Sequence, residues 1–184
     1  MVRSTTEVEI KLRFDSAVDA VSRLLELGAR PLVERTFEDN VLFEQSIAPL
    51  KPEGKMLRLR QFAGEATLTF KQPVPGQHRH KVREEHETRV GDSAALVSIL
   101  EGLGFSRAYR YQKYRTIYQL DEVHACVDET PLGCFIELEG EPQAIDRAAE
   151  RLGFRFEQYI RGTYRDLHEQ ATGRQGEQLG DLLL

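Results

Sequence analysis

The chain opens with a strict alternation of charged and apolar side chains. Positions 6 to 14 read Thr-Glu-Val-Glu-Ile-Lys-Leu-Arg-Phe, and successive side chains of a β-strand point to opposite faces. This period of two predicts a strand with one apolar face and one face that carries Glu7, Glu9, Lys11 and Arg13. Such a charged face either lies in water, as charged side chains usually do, or lines a charged interior.

Apolar residues recur at helical spacing in other parts of the chain. The spacing predicts one helix over about 17–27 and another over about 92–104, and a Leu-Gly pair ends both. The same pair recurs at Leu152 and Gly153. The repeated ending predicts an internally duplicated α+β arrangement, in which each helix leads into an extended segment. A last helix is predicted at about 161–171.

The remaining patterned segments predict further strands. They cover about residues 32–44, 57–62, 66–71, 82–90, 107–120, 123–129 and 133–139. Nearly every segment devotes one face to charged residues of both signs, whereas a solvent face usually mixes in Ser, Thr, Asn and Gln. Buried charges must be paired or neutralised, and acids and bases are nearly equal in number on these faces. The pattern therefore favours a sheet closed into a barrel with its charged face inward.

Length and composition fit one domain. The chain has 184 residues, of which 40% are hydrophobic, enough for one substantial core. We assign residues 1–172 to this domain and expect residues 173–184, which contain three glycines, to form a flexible tail. The net charge of −5 argues against nucleic acid as a partner, and no apolar run is long enough to span a membrane. We expect a cytoplasmic protein.

Cysteine and histidine do not indicate a metal site. Cys126 and Cys134 have no clustered histidine partner, which argues against zinc and against a disulfide framework. His78 and His80 lie in a polar loop with prolines and without a carboxylate or cysteine at ligand spacing. We expect both cysteines to be reduced and both histidines to be solvated.

Charged residues at period two follow one another along the predicted strands. They are Glu7-x-Glu9-x-Lys11, Arg58-x-Arg60, Lys71, Arg83-x-Glu85-x-Glu87, Lys113-x-Arg115, Asp128 and Glu137-x-Glu139. In this order they resemble the CYTH superfamily of class IV adenylyl cyclases, thiamine triphosphatases and inorganic triphosphatases. The resemblance spans about residues 5–170. The Leu-Gly helix endings and the segment from Thr163 to Leu167 are most like the class IV cyclase-type branch, which often has Ser where this chain has Thr163.

The resemblance implies an α+β fold, a closed antiparallel eight-stranded β-barrel with flanking helices that is called the triphosphate tunnel. It implies Mg²⁺ or Mn²⁺ on the acidic residues, with Glu7, Glu9, Glu137 and Glu139 as ligands. Asp128, Glu85 and Glu87 would contact the metal or stand directly behind its ligands. The implied phosphate-binding residues are Lys11, Arg58, Arg60, Lys71, Arg83, Lys113 and Arg115. The implied catalytic residues are Lys11, Lys113, Arg115 and Asp128.

Three functions stay open at this point. The first is a class IV adenylyl cyclase-like enzyme that converts ATP to cyclic AMP and pyrophosphate. The second is a triphosphatase that hydrolyses inorganic triphosphate, thiamine triphosphate or nucleoside triphosphates, and the third is a polyphosphate- or nucleotide-binding module without catalysis. Phosphoryl and nucleotidyl transfer depend mainly on positioning and charge stabilisation, so one charged tunnel suits all three. A homodimer also stays open.

The basic residues lead to a further expectation about the empty site. If the sheet closes, Lys113 and Arg115 should meet Arg58 and Arg60 across the lumen. Opposing cations repel each other, so the empty site is expected to be electrostatically strained. Replacement of Arg115 by alanine would then leave stability unchanged or raise it.

Overall fold

The computed structural model of the protein describes residues 3–76 and 79–184, which form eight strands and four α-helices. The strands are β1 (Arg3–Phe14), β2 (Arg30–Gln45), β3 (Met56–Phe62), β4 (Glu65–Pro73), β5 (Lys81–Arg89), β6 (Phe105–Leu120), β7 (Val123–Thr130) and β8 (Gly133–Glu139). The helices are α1 (Ala17–Glu26), α2 (Ser93–Gly102), α3 (Pro142–Arg151) and α4 (Tyr164–Thr172). None of these helices is long and apolar enough to cross a membrane.

All eight strands join one closed barrel. Their order around it is β1-β5-β4-β3-β2-β6-β7-β8, and every neighbouring pair is antiparallel. Closure pairs every strand on both sides and leaves no exposed sheet edge. The predicted α+β fold with a closed eight-stranded antiparallel barrel is thereby confirmed.

The alternation in β1 divides the barrel into an apolar outside and a charged inside. Ile10 and Leu12 are fully buried against Leu24 of α1 and Ile145 of α3, in the largest apolar cluster of the molecule. The charged residues Glu7, Glu9 and Lys11, which alternate with the apolar residues of β1, face the lumen instead. The helices therefore cover the apolar face of the sheet, and the charged face is left to form a site.

A second apolar cluster fills one end of the lumen. Tyr111 and Phe135 precede the lumen residues Lys113 and Glu137 by two positions, so they share the inner face. Their rings pack against Tyr164, the first residue of α4. Helix α4 thus closes this end of the tunnel.

The C-terminal residues differ from the expected flexible tail. Leu182 is buried in the second apolar cluster, and its amide donates to the Arg110 carbonyl at 2.9 Å. Its carbonyl accepts from the Gln112 amide at 2.9 Å, and the carboxylate of Asp181 accepts from the Arg110 amide at 2.8 Å. Two buried leucines, at 179 and 182, hold this segment on β6.

Two further expectations need correction. Gly104 leads into β6 as predicted, but Gly153 leads into a short 3-10 turn and a single bridge between Ile160 and Lys11, because the barrel is already closed. His80 is only 7% exposed and its Nε2 lies 2.8 Å from Asp146, so the expectation of a solvated side chain was wrong. His78 lies outside the described residues.

Candidate active site

A cavity of about 480 Å³ occupies the charged lumen, a volume typical of small-molecule sites. Every charged residue predicted for the site lines this cavity except Asp128. The strands place them there because residues two apart on a strand point the same way. The sequence pattern thus located the site, although it did not show which charges meet.

Two lysines of the lumen, Lys71 and Lys11, each lie between two glutamates. The Lys71 ammonium lies 2.6 Å from a carboxylate oxygen of Glu7 and 3.3 Å from one of Glu85. The Lys11 ammonium lies 3.3 Å from Glu9 and 3.1 Å from Glu137. Each lysine therefore bridges acids from two different strands.

Further pairs continue this pattern around the barrel. Glu9 also accepts from Lys81 at 2.6 Å, a lysine that was not among the predicted site residues. Glu87 accepts from Arg60 at 3.3 Å and from the Thr69 hydroxyl at 2.9 Å. The side of the lumen formed by β3, β4 and β5 is therefore tied together by its own ion pairs.

Asp128 lies fully buried behind the cavity wall. Its Oδ1 accepts from Arg115 at 2.7 Å, and its Oδ2 accepts from Lys113 at 2.7 Å and from the Tyr164 hydroxyl at 2.6 Å. Both carboxylate oxygens are thus engaged. The structure connects Asp128 directly to two predicted phosphate-binding residues and to the helix that closes the tunnel.

Sequence reasoning missed a second buried carboxylate, Glu38 on β2. It is fully buried, lies 3.4 Å from Lys113 and 3.8 Å from Arg115, and accepts from Asn40 at 2.9 Å. Burial alone would raise its pKa, but the surrounding cations, Lys113 first, lower it to about 2. The signal was present, because Glu38, Asn40 and Leu42 alternate with outward residues on β2.

These carboxylates change the expectation that carboxylates relieve the repulsion between opposing cations only in part. Arg115 interacts with Asp128, with Glu137 and with Glu38, so its charge is compensated in the empty protein. The inward register predicted for Lys113 and Arg115 is correct. The predicted electrostatic strain does not hold for Arg115.

The acids of the lumen fall into two groups by their pKa shifts. Burial disfavours the charged form of Glu9 and Glu137, but the neighbouring lysines outweigh it and hold both pKa values below the ordinary range. Burial raises the pKa of Glu7, and Glu9 adds to the rise although Lys71 opposes it. Burial and the charge of Glu7 raise the pKa of Glu139 to about 7. The ion pairs divide the acids in the same way: among the described residues Glu7 pairs with Lys71 alone and Glu139 with no cation, whereas Glu9 and Glu137 each pair with two cations.

Arg58 and Arg83 are cations of a different kind. Among the described residues, neither forms an ion pair with a carboxylate, and the buried Nε of each has no acceptor. Arg58 contacts the Tyr111 hydroxyl at 3.5 Å, and Arg83 donates to the Lys71 carbonyl at 3.2 Å. A buried donor without an acceptor is costly, so these two guanidinium groups are suited to an anionic ligand.

The acids of the lumen also fit a divalent cation that arrives with its substrate. No three His, Cys, Asp or Glu side chains of the described residues form a ready metal cluster. Mg²⁺ needs no such cage, because it usually binds one or two carboxylates together with substrate phosphates and water. Glu7, which pairs with one lysine, and Glu139, which pairs with no cation among the described residues, match that requirement.

Comparison with known proteins shows the family to which this chain is similar. The family model described as CYTH domain matches residues 5–164. A protein of Methanocaldococcus jannaschii with the provisional name adenylate cyclase is 31% identical over 134 residues, which are 72% of this chain and 75% of that protein. A solved structure from Pyrococcus horikoshii has a TM-score of 0.73 and 27% identity, over 86% of this chain and 96% of its own.

A plant protein shares the fold at lower identity. The Hippeastrum protein, provisionally named an adenylyl cyclase and described as revealing a dominant triphosphatase activity, has a TM-score of 0.62. The match covers 92% of this chain and 97% of that protein, at 20% identity.

Proposed function

The chain belongs to the CYTH family, and from this membership we propose a metal-dependent enzyme that acts on triphosphates in the lumen. We propose specifically that it converts ATP to cyclic AMP and pyrophosphate, as a class IV adenylyl cyclase does. The observation that carries the triphosphate-binding part of the proposal is the pair of buried arginines, Arg58 and Arg83, whose Nε atoms have no acceptor among the described residues. The name of the Methanocaldococcus relative supports the choice of cyclase.

The residues of the lumen divide the work of binding in this proposal. Arg58 and Arg83 take phosphate oxygens, because a guanidinium offers a planar pair of donors. Lys11, Lys71 and Lys113 are already held by carboxylates, so they stand at fixed positions before the substrate arrives and cost little reorganisation. Binding then requires no rearrangement of the barrel.

The glutamates of the lumen would hold the metal ion in this proposal. Glu7 and Glu139, with Glu9 and Glu137 beside them, would hold Mg²⁺ or Mn²⁺, which neutralises charge on phosphate oxygens when bound. In the cyclase, the ribose 3′-oxygen bonds to the α-phosphorus while its hydroxyl proton passes to a carboxylate of the lumen. The bond from the α-phosphorus to the oxygen that bridges to the β-phosphate breaks, and pyrophosphate leaves toward the arginines. In a triphosphatase, water attacks the terminal phosphorus instead.

The second candidate, a triphosphatase, is favoured by a specific finding, the activity described for the Hippeastrum protein of the same fold. The two functions share the charged lumen and differ in the attacking group. A cyclase must place a ribose hydroxyl in line with the α-phosphate, whereas a triphosphatase must admit water at the terminal phosphate.

Product analysis tests the proposal. The protein is incubated with ATP, and separately with tripolyphosphate or thiamine triphosphate, in the presence of Mg²⁺ or Mn²⁺. Cyclic AMP with pyrophosphate is the expected result, and ADP or orthophosphate would support the triphosphatase. If neither forms and tripolyphosphate with Mg²⁺ still raises the melting temperature by mass action, the protein is a binding module. No product and no shift would contradict all three.

Glu139 gives a prediction about pH. Its pKa is raised, so the folded protein binds more protons than the unfolded chain between the ordinary value of 4.5 and about 7. Stability should therefore fall as pH rises through this window. Because Glu139 is exposed to water, which screens part of the effect, the step should be smaller than full burial would give.

We expect Glu139→Gln to flatten this dependence and to be more stable than the wild type at pH 7.5. Urea unfolding at pH 5, 6 and 7.5 measures the difference between the two proteins. Glu84→Gln, on the outer face of β5, is the matched control for loss of one carboxylate. If the free energies of unfolding of the wild type and Glu139→Gln differ by the same amount at every pH, the raised pKa of Glu139 is contradicted.

A further inference from the structure

A small cavity of about 140 Å³ opens beside the tunnel. It lies between the loop that joins β2 to β3 and the start of α4, and its walls include Lys51 and Lys55. Arg83, Thr163 and Arg165 line both this side cavity and the main lumen. These three residues therefore mark the junction between the two spaces.

Two largely buried arginines, Arg83 and Arg165, both line this junction. Arg83 is 9% exposed and the side chain of Arg165 is 11% exposed. The Nε atoms of both are buried without a hydrogen-bond acceptor among the described residues. Arg165 was not among the residues predicted from the sequence, because it lies on a helix outside the alternating strands.

The carboxylates near Arg165 are shared with other donors. Glu169 lies 3.4 Å from its Nε in a geometry that makes no hydrogen bond, and it also pairs with Lys51. Glu44 lies 4.0 Å from its Nη1 and accepts from the backbone amides of Leu50 and Lys51, at 2.6 Å and 3.1 Å. The positive charge of Arg165 is therefore only partly compensated.

The first turn of α4 adds favourable electrostatics at the same place. Thr163 caps the helix by accepting from the Asp166 amide at 3.1 Å. The Asp166 carboxylate in turn accepts from the amide and hydroxyl of Thr163, at 2.8 Å and 2.7 Å. The positive end of the helix dipole lies at the junction and favours an anion there, although the Asp166 carboxylate, which also lines the side cavity, offsets part of it.

We propose that Arg165 and Arg83 together bind one phosphate group of the triphosphate at this junction. The inference rests on the proposed function and adds a residue from α4 to the phosphate site. Two arginine forks with free donors match the oxygens of a phosphate. The helix that closes the tunnel thus also takes part in holding the substrate.

Arg165→Ala tests this inference, with tripolyphosphate as the probe and calorimetry as the measurement, in EDTA and again with Mg²⁺. We expect the dissociation constant to rise about tenfold or more in both conditions, the scale of a charge-assisted hydrogen bond. Arg165→Lys should restore part of the loss, because it keeps the charge but not the fork. Arg174→Ala, an exposed arginine just beyond α4, is the matched control and should bind as the wild type does.

Glu169→Gln gives a test with the opposite sign. It removes a carboxylate that competes for Arg165, so tripolyphosphate should bind more tightly than to the wild type. Because Glu169 also pairs with Lys51, the double variant Lys51→Ala, Glu169→Gln is measured beside it and should keep the gain over Lys51→Ala. If Arg165 serves only to hold α4 through Glu169, neither variant should gain affinity, which would overturn the inference.

The outcomes separate this inference from the proposed function. Wild-type protein that binds tripolyphosphate while Arg165→Ala binds like Arg174→Ala overturns the inference alone. A loss confined to Mg²⁺ conditions also overturns it, because a direct contact with phosphate needs no metal. Wild-type protein that does not bind tripolyphosphate overturns both. If Arg165→Ala does not fold, Arg165→Lys and Glu169→Gln decide the question.

Discussion

Replacing Asp128 by alanine is expected to lower the free energy of unfolding of the empty protein by about 3–5 kcal/mol, the cost of breaking a buried ion pair from one side. Asp128 is fully buried and accepts from Lys113, Arg115 and Tyr164. Its removal leaves two buried cations with less compensation and one buried hydroxyl without its acceptor. Urea unfolding without ligand measures the change.

The adjacent residue on β7 provides a matched control. Glu129 forms a two-point ion pair with Arg35 outside the lumen, and both side chains are accessible to water. Exposed pairs contribute about 0–1 kcal/mol, so Glu129→Ala should cost little. Equal costs at the two positions would show that the Asp128 network does not stabilise the barrel.

The same network changes the expectation for Arg115. From the sequence, Arg115→Ala was expected to leave stability unchanged or raise it, because the empty site was thought to contain opposing cations. In the structure, Arg115 compensates Asp128 and lies close to Glu38, both fully buried. We now expect Arg115→Ala to destabilise the empty protein in addition to weakening phosphate binding.

The alternation of side chains was sufficient to predict the barrel and most of its lining. A period of two assigns each strand residue to a face without knowledge of its neighbours, so Glu7 and Arg58 could both be placed inside. Charge balance on those faces then favoured closure. The resemblance to the CYTH superfamily added the strand count and the antiparallel arrangement.

The residues that escaped prediction depend on contacts between distant parts of the chain. The alternation on β2 could place Glu38 on the inner face, but it could not show that Glu38 lies beside Lys113 and Arg115 of β6. Arg165 and Tyr164 lie on a helix that enters the lumen from one end, and no period in the sequence shows where a helix will dock. His80 is buried because α3 supplies Asp146 as its partner. Closure of the barrel and docking of the helices, rather than the local sequence pattern, decide where these side chains lie.

The division of the lumen acids by pKa leads to the sharpest test of the proposed metal site. Lysines stabilise Glu9 and Glu137 as carboxylates, so the negative charge of both residues is already compensated. Glu7 has a raised pKa although Lys71 lies 2.6 Å away. In the described part of the chain, Glu7 pairs only with Lys71, whereas Glu9 pairs with both Lys11 and Lys81. A dication should therefore gain more from Glu7 than from Glu9, which the sequence could not distinguish.

We expect Glu7→Gln to reduce Mg²⁺-dependent turnover by about a hundredfold or more, since metal stabilisation of phosphate charge is worth several kcal/mol. The same change frees the Lys71 ammonium, so tripolyphosphate binding in EDTA should be unchanged or tighter. Turnover of the triphosphate that the wild type uses, and calorimetry without metal, measure the two effects. Glu84→Gln, on the outer face of β5, controls for the lost charge. Weaker metal-free binding would show that Glu7 serves to position Lys71. Undiminished turnover with Mg²⁺ would show that the metal is held elsewhere in the lumen.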